Sequence, residues 1–193
     1  MLADLVVAPA VFVRSLLLLQ IPQSDAPYFF EECPILQKVS LGEKCSFRGD
    51  NIFAGCSSLK KLNAPSGFRL VGNATFAGCG FRELVIRRGT IIDGNYSFGN
   101  CKNIISVIIE DEVVISGNES FTDCLGLVSV VIGNRVVISG NKTFANCERL
   151  ETLHVGDDFT MTGKNNVAGC INISTSTHGK NISYTDDSYR RNA

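Results

Sequence analysis

Residues Ile104 to Cys124 read I-I-S-V-I-I-E-D-E-V-V-I-S-G-N-E-S-F-T-D-C, and the same cadence returns along most of the 193-residue chain. Its closing F-x-x-C recurs as Phe30–Cys33, Phe53–Cys56, Phe76–Cys79, Phe98–Cys101, Phe121–Cys124, Phe144–Cys147 and, with Val for Phe, Val167–Cys170. Successive cysteines stand 23, 23, 22, 23, 23 and 23 residues apart. A fixed period in the twenties is the signature of a solenoid, whose units bury their apolar faces only against neighbouring units.

Counted from the Phe as zero, the other apolar positions keep the same beat. Offset six holds Leu36, Leu59, Ile104, Leu127, Leu150 and Ile173. Offset nine holds Val39, Leu62, Val107, Val130 and Leu153, and offset eleven holds Leu41, Ala64, Ile109, Ile132 and Val155. The third unit drops one residue after Cys79, and Phe81, Leu84 and Ile86 then fill these places. The L-x-x-L-x-L cadence is that of a leucine-rich repeat, and its in-out-in end predicts a short strand pairing in parallel with its neighbours. A second alternation at offsets fifteen and seventeen, such as Val113 and Ile115, predicts another strand on the opposite wall. Gly-Asn follows at Gly72-Asn73, Gly94-Asn95, Gly117-Asn118 and Gly140-Asn141. Glycine there suits a turn, and Asn suits the N-cap of a single helical turn carrying Phe and Cys on one face.

The expected fold is therefore a β-rich repeat solenoid of leucine-rich-repeat type, with parallel strands and one short helical turn per unit. A parallel β-helix of similar period is the alternative. Residues 1–29 read as a degenerate N-terminal repeat or cap, 30–170 as the solenoid, and 171–193 as a closing turn and polar tail.

The unit resembles the BspA-like leucine-rich repeat of treponemal and protist type, roughly L-x-x-V-x-I-P followed by V-x-x-I-G-x-x-A-F-x-x-C. Ile104 to Cys124 fits that frame, and the match runs over about residues 30–170. Two departures touch turn detail: the Pro after the first strand survives only as Pro65, and Ile-Gly has become Ile-Ser-Gly. The resemblance implies a non-catalytic cell-surface or secreted protein that adheres to host matrix or to other cells through a protein ligand. An intracellular interaction scaffold with the same fold is the alternative, favoured by the poor signal sequence and by free thiols, which suit a reducing compartment.

Charge and cysteine usage narrow the classes further. Eighteen Lys and Arg stand against 19 Asp and Glu, a formal net charge of −1, and no basic stripe marks a nucleic-acid partner. The cysteines at 33, 56, 79, 101, 124, 147 and 170 form a column whose Cβ vectors point the same way into the core. They read as small buried hydrophobes with unreactive thiols rather than disulfides. Cys45 falls on an inward offset as well. No C-x-x-C pair exists, and His154 and His178 stand apart from the cysteine motif, so neither a metal site nor a cofactor is expected.

The ends and the remaining motifs carry little chemistry. The apolar stretch 1–20 contains Asp4, Pro9 and Arg14, which argue against a membrane span and against a signal peptide. Counting back one period from Phe30 lands on Val7 and places Val13, Leu16 and Leu18 at core offsets. Beyond Cys170, Ile173, Ile182 and Tyr184 keep their places, and a loose tail is expected from about Asp186. Ser57-Ser58-Leu59-Lys60 formally contains S-x-x-K, but Leu59 is a core position; no enzyme motif stands in the sequence. Six N-x-S/T sequons occur at Asn73, Asn95, Asn118, Asn141, Asn172 and Asn181. The first four follow from the repeat itself, which leaves Asn172 and Asn181 as the better glycan acceptors if the route is secretory.

Binding residues are sought among the outward positions of the first strand. Offset ten runs Ser40, Asn63, Val85, Ile108, Val131 and His154, with Arg87 and Glu110 on one side and Glu83, Ser106 and Ser129 on the other. Asn63, Val85, Arg87, Ile108, Glu110, Val131 and His154 are the candidate protein-binding residues, because an apolar strip with a polar rim has the make-up of a contact site. Strand propensity alone also explains β-branched residues there. Ile91, Val114 and Val137 form a second outward stripe on the opposite wall, and two such stripes hint at self-association.

Overall fold

The computed structural model of the chain describes residues 14–18, 30–43 and 45–185, and the chain winds as a solenoid of parallel strands. The first wall carries β1 (Ser15–Leu18), β2 (Lys38–Leu41), β4 (Lys61–Asn63), β6 (Glu83–Ile86), β8 (Ser106–Ile109), β10 (Ser129–Ile132), β12 (Thr152–Val155) and β14 (Thr175–His178). The second carries β3 (Ser46–Phe47), β5 (Arg69–Leu70), β7 (Ile91–Ile92), β9 (Val114–Ile115), β11 (Val137–Ile138), β13 (Thr160–Met161) and β15 (Ser183–Tyr184). The strands pair in parallel with their copies one period away: Val107 lies beside Val130, and Ile115 beside Ile138.

The second wall is one continuous seven-stranded sheet, whereas the first splits into β1-β2-β4 and β6-β8-β10-β12-β14. The split falls at the unit that lacks one residue after Cys79. Gly80 takes up the shortened path, where a Cβ would stand 1.9 Å from the Ser57 carbonyl oxygen, and Phe81 fills the core behind it. Leu62 and Ala64, at core offsets beside the gap, are only half-buried.

Between the walls run the core columns. Phe30, Phe53, Phe76, Phe98, Phe121 and Phe144 stack ring on ring, with centroids 5.1–5.4 Å apart and planes within 11°. The eight cysteines are buried thiols, none of them in a disulfide. Each of the last six column thiols donates to the carbonyl of the Phe one coil back, from Cys56 to Phe30 at 3.0 Å through Cys170 to Phe144 at 3.1 Å. Burial pushes the Cys56 thiol up to about 12, and Cys79 and Cys101 also stand above the usual thiol range through burial.

The third side of each coil corrects the expected helical turn: no helix occurs among the described residues. The F-x-x-C segment is a run of turns bracketed by left-handed residues. Asn51, Ala74, Tyr96, Glu119, Lys142 and Asn165 precede the Phe or Val by two; Gly55, Gly78, Asn100, Asp123, Asn146 and Gly169 follow it by two. Two left-handed residues four apart cannot lie in a right-handed helix. The N–H groups of Glu119, Phe121 and Asp123 instead donate to the carbonyls of Asn141, Thr143 and Ala145 in the next coil, at 2.7–3.0 Å. This side is a third inter-coil ladder.

Asn and Gly in the preceding turn also differ from expectation. Asn does not cap a helix; its side-chain oxygen accepts from the backbone N–H at the same place one coil on. The chain of bonds runs Asn73 to Asn95, Asn95 to Asn118, Asn118 to Asn141 and Asn141 to Lys164, at 2.8–2.9 Å. A matching ladder at the other corner joins Asp111 to Asn134, Asn134 to Asp157 and Asp157 to Lys180. The glycines at 72, 94, 117, 140 and 163 are needed for close approach rather than for a left-handed backbone. A Cβ on any of them would meet a carbonyl oxygen at 1.9–2.1 Å. The hydroxyls of Thr75, Ser97, Ser120 and Thr143, all buried, donate to the carbonyls of the first four of these glycines.

At the N-terminal end β1 pairs with β2, placing Leu16 beside Val39 and Leu18 beside Leu41. Val7, Val13 and the tail from Asp186 lie outside the described residues.

Candidate functional site

Alternation along the first wall sends one side chain per strand outward between two core residues. In β8 the exposed Ile108 separates Val107 and Ile109, both fully buried. Parallel register then aligns the outward residues of neighbouring coils: Val85 beside Ile108, Ile108 beside Val131, and Val131 beside His154. Val85, Ile108 and Val131 are 36%, 44% and 39% exposed, which is substantial for β-branched side chains within a sheet. Asn63 is also outward, but it lies across the gap on β4 and bonds to Ser40, so the six-residue row read from the sequence is two rows.

Charged groups border the strip on one side. Arg87 bonds to Glu110 at 2.9 Å, and the other oxygen of Glu110 accepts from the Arg88 backbone N–H. Farther out, Glu112 holds Arg88 through two bonds, at 2.9 and 3.0 Å, and also Arg135 at 2.6 Å. Hydrogen bonds from these guanidinium groups lower the Glu112 carboxyl to about 2. The opposite border is Glu83, Ser106, Ser129 and Thr152, one from each of β6, β8, β10 and β12. His154 Nδ1 is hydrogen-bonded to the Thr177 hydroxyl on β14.

Ile91, Val114 and Val137, the stripe on the second wall, are half-buried and neighbour one another in register. Three exposed apolar residues escaped the sequence reading: Ile105, Leu125 and Ile171, at 41%, 38% and 76%. They lie at offsets seven and four, where some other units carry charge, Lys60, Arg82 and Glu151 at seven and Lys102 and Glu148 at four; an apolar residue at such a place was the available signal. On the turn side, a groove of about 430 Å³ is lined by Glu119, Thr122, Asp123, Lys142, Ala145 and Asn146 among others. Its Glu119–Lys142 and Asp123–Asn146 pairs already satisfy one another. Among the described residues no three His, Cys, Asp or Glu side chains gather as metal ligands would, and no helix is long and apolar enough to cross a membrane.

A family model described as the BspA type leucine-rich repeat region, in six copies, matches residues 23–93 and 70–192. The fold is similar to that in the crystal structure of a leucine-rich repeat protein from Bacteroides ovatus, with a TM-score of 0.60 and 21% identity. That likeness covers 87% of this chain and 51% of the other, so the chain spans about half the length of that protein. No curated protein matches the chain significantly.

Proposed function

The chain belongs to the BspA type leucine-rich repeat family, and from that premise we propose that it is a non-catalytic protein-interaction module whose contact surface is the outward face of β6, β8, β10 and β12. The observation that carries this reading is the run of Val85, Ile108 and Val131, exposed on adjacent in-register strands and bordered by the Arg87–Glu110 pair and a hydroxyl row. An apolar centre within a polar rim is the composition of contact sites. The ligand class we assign is a host-matrix or cell-surface protein, bound in an adhesive role. Surface plasmon resonance over immobilised extracellular-matrix proteins tests it. Wild-type protein should bind at least one, and Ile108→Lys should lose that binding about tenfold or more by burying an unpaired charge, with an unchanged melting temperature. Binding by Ile108→Lys equal to wild type would move the contact surface elsewhere.

A second reading, an intracellular scaffold using the same face, is favoured by eight cysteines with no disulfide among them, which suits a reducing compartment. Fractionation of the native source with an antibody to this chain separates the two.

A further inference from the structure

We infer that, when no protein ligand covers it, the first wall is occupied by a second copy of this chain, packed face to face about a two-fold axis parallel to the long axis of the solenoid. The inference rests on the contact surface proposed above and names what covers it in the absence of that ligand. Two observations carry it.

The first is spacing. Val85, Ile108 and Val131 repeat once per strand, at about 4.8 Å along the solenoid. An extended peptide presents one face every second residue, about 6.6–6.8 Å, and falls out of step within two rungs. A helix repeats its face at roughly 5.4 Å per turn and also drifts. A second wall of the same parallel strands keeps step at every rung, and another copy of this chain supplies one.

The second is charge. Turning one copy about an axis along the solenoid keeps each rung level and exchanges the two borders of the strip. Glu83 of one copy then faces Arg87 of the other, and the reverse. Ser106 faces Glu110, a hydroxyl donor against a carboxylate, and Ser129 faces Gly133. The Glu83 carboxylate, exposed on β6, has no ion-pair partner among the described residues, so this contact would give it one. The other face-to-face arrangement, with the axis along the strands, matches like borders and leaves Glu83 opposite Glu83, Ser106, Ser129 or Thr152, with no cation to face across the strip. Five strands of four residues cover about 24 by 13 Å, roughly 300 Å² per copy. Over both copies that is about 600 Å², less than the roughly 1,000 Å² of a stable specific interface, so the dimer is weak and concentration-dependent.

Sedimentation velocity over a concentration series is the test, with Glu83→Arg, Arg87→Glu and Ile108→Lys alongside wild type. Wild type should show a monomer–dimer equilibrium, and each variant alone should weaken it by about tenfold or more. An equimolar mixture of Glu83→Arg and Arg87→Glu should associate again. In the mixed dimer the two introduced side chains face each other with opposite charge, and the native Arg87 of one copy still faces the native Glu83 of the other. That rescue needs both variants folded and the border exchange as described. A wild type that stays monomeric at every concentration, or a mixture that fails to recover while both variants melt as wild type, overturns the proposal. Should Ile108→Lys still abolish matrix-protein binding in that case, the wall remains the contact surface and only its occupation by a second copy falls.

Discussion

The Cys124 thiol donates a hydrogen bond to the Phe98 carbonyl, 3.4 Å away and one coil back. The relationship repeats one coil on, where the Phe121 carbonyl receives the Cys147 thiol at 3.3 Å. A column cysteine is thus both core filling and a weak inter-coil tie, which explains a free thiol at a place where Ala or Val would fill space alone.

Replacing Cys124 with Ala should cost about 1–3 kcal/mol, measured by urea unfolding, from the lost bond and the small void. Native protein should label slowly with a thiol reagent, and denatured protein should titrate eight thiols. Cys56 adds a pH dependence. Its thiol is raised from 9.0 to about 12 in the fold, so its contribution is intact below pH 9.0 and is lost as pH climbs from there toward about 12. Cys56→Ala should flatten that alkaline decline.

Glycine positions separate into two kinds by substitution. Gly117→Ala would set a Cβ 2.1 Å from the Gly94 carbonyl oxygen, a backbone clash that no rotamer relieves. It should cost about 3 kcal/mol or more, or prevent folding. Gly67→Ala meets open space and pays only for its φ of 69°, about 1 kcal/mol. Thermal melts of the two variants side by side give the comparison.

The asparagine column predicts a graded response. Asn118 Oδ1 accepts from the Asn141 N–H at 2.9 Å and from the Asn141 side-chain amide at 3.0 Å, and Asn118 donates its own amide to Asn95 at 3.1 Å. Asn118→Ala removes all three bonds and should cost about 1–2 kcal/mol. Asn118→Asp keeps the acceptor, loses the donor and should cost less. Equal losses would mean that the side-chain amide, rather than the backbone N–H it receives, is the important tie.

Acid should expose the Glu112 network. The carboxyl falls from an ordinary 4.5 to about 2 through its bonds to Arg88 and Arg135. A lowered folded value means that the contribution is full above about 4.5 and disappears as pH drops toward 2. The melting temperature of wild type should decline more steeply than that of Glu112→Gln across this window. High salt should narrow the difference, since the groups are exposed.

Core columns and both strand walls were legible because a 23-residue beat aligns like with like, and alternation at Val107-Ile108-Ile109 states which side faces in. The turn side was not. Phe121 and Cys124, three apart, face inward equally well in one helical turn or in successive β-turns. The left-handed residues that decide between them include Ala74, Tyr96, Glu119 and Lys142, which carry no glycine or asparagine signal. The outward strip followed from alternation, yet its interruption before Val85 did not, because strand pairing across the shortened unit depends on backbone reach rather than side-chain type.

That interruption has a consequence for cooperativity. Most ties among the described residues join one coil to the next, and the rest close turns within a coil, so coils can close one upon another in sequence and stability accumulates from neighbour to neighbour. Between β4 and β6 one wall contributes no strand pairing, while the second wall and the turn side still bond across. Opening of the solenoid is therefore expected to start at this seam, with amides of residues 61–63 and 83–86 exchanging with solvent earlier than those of 129–132, and with a pulled chain parting into an amino-terminal and a carboxy-terminal block.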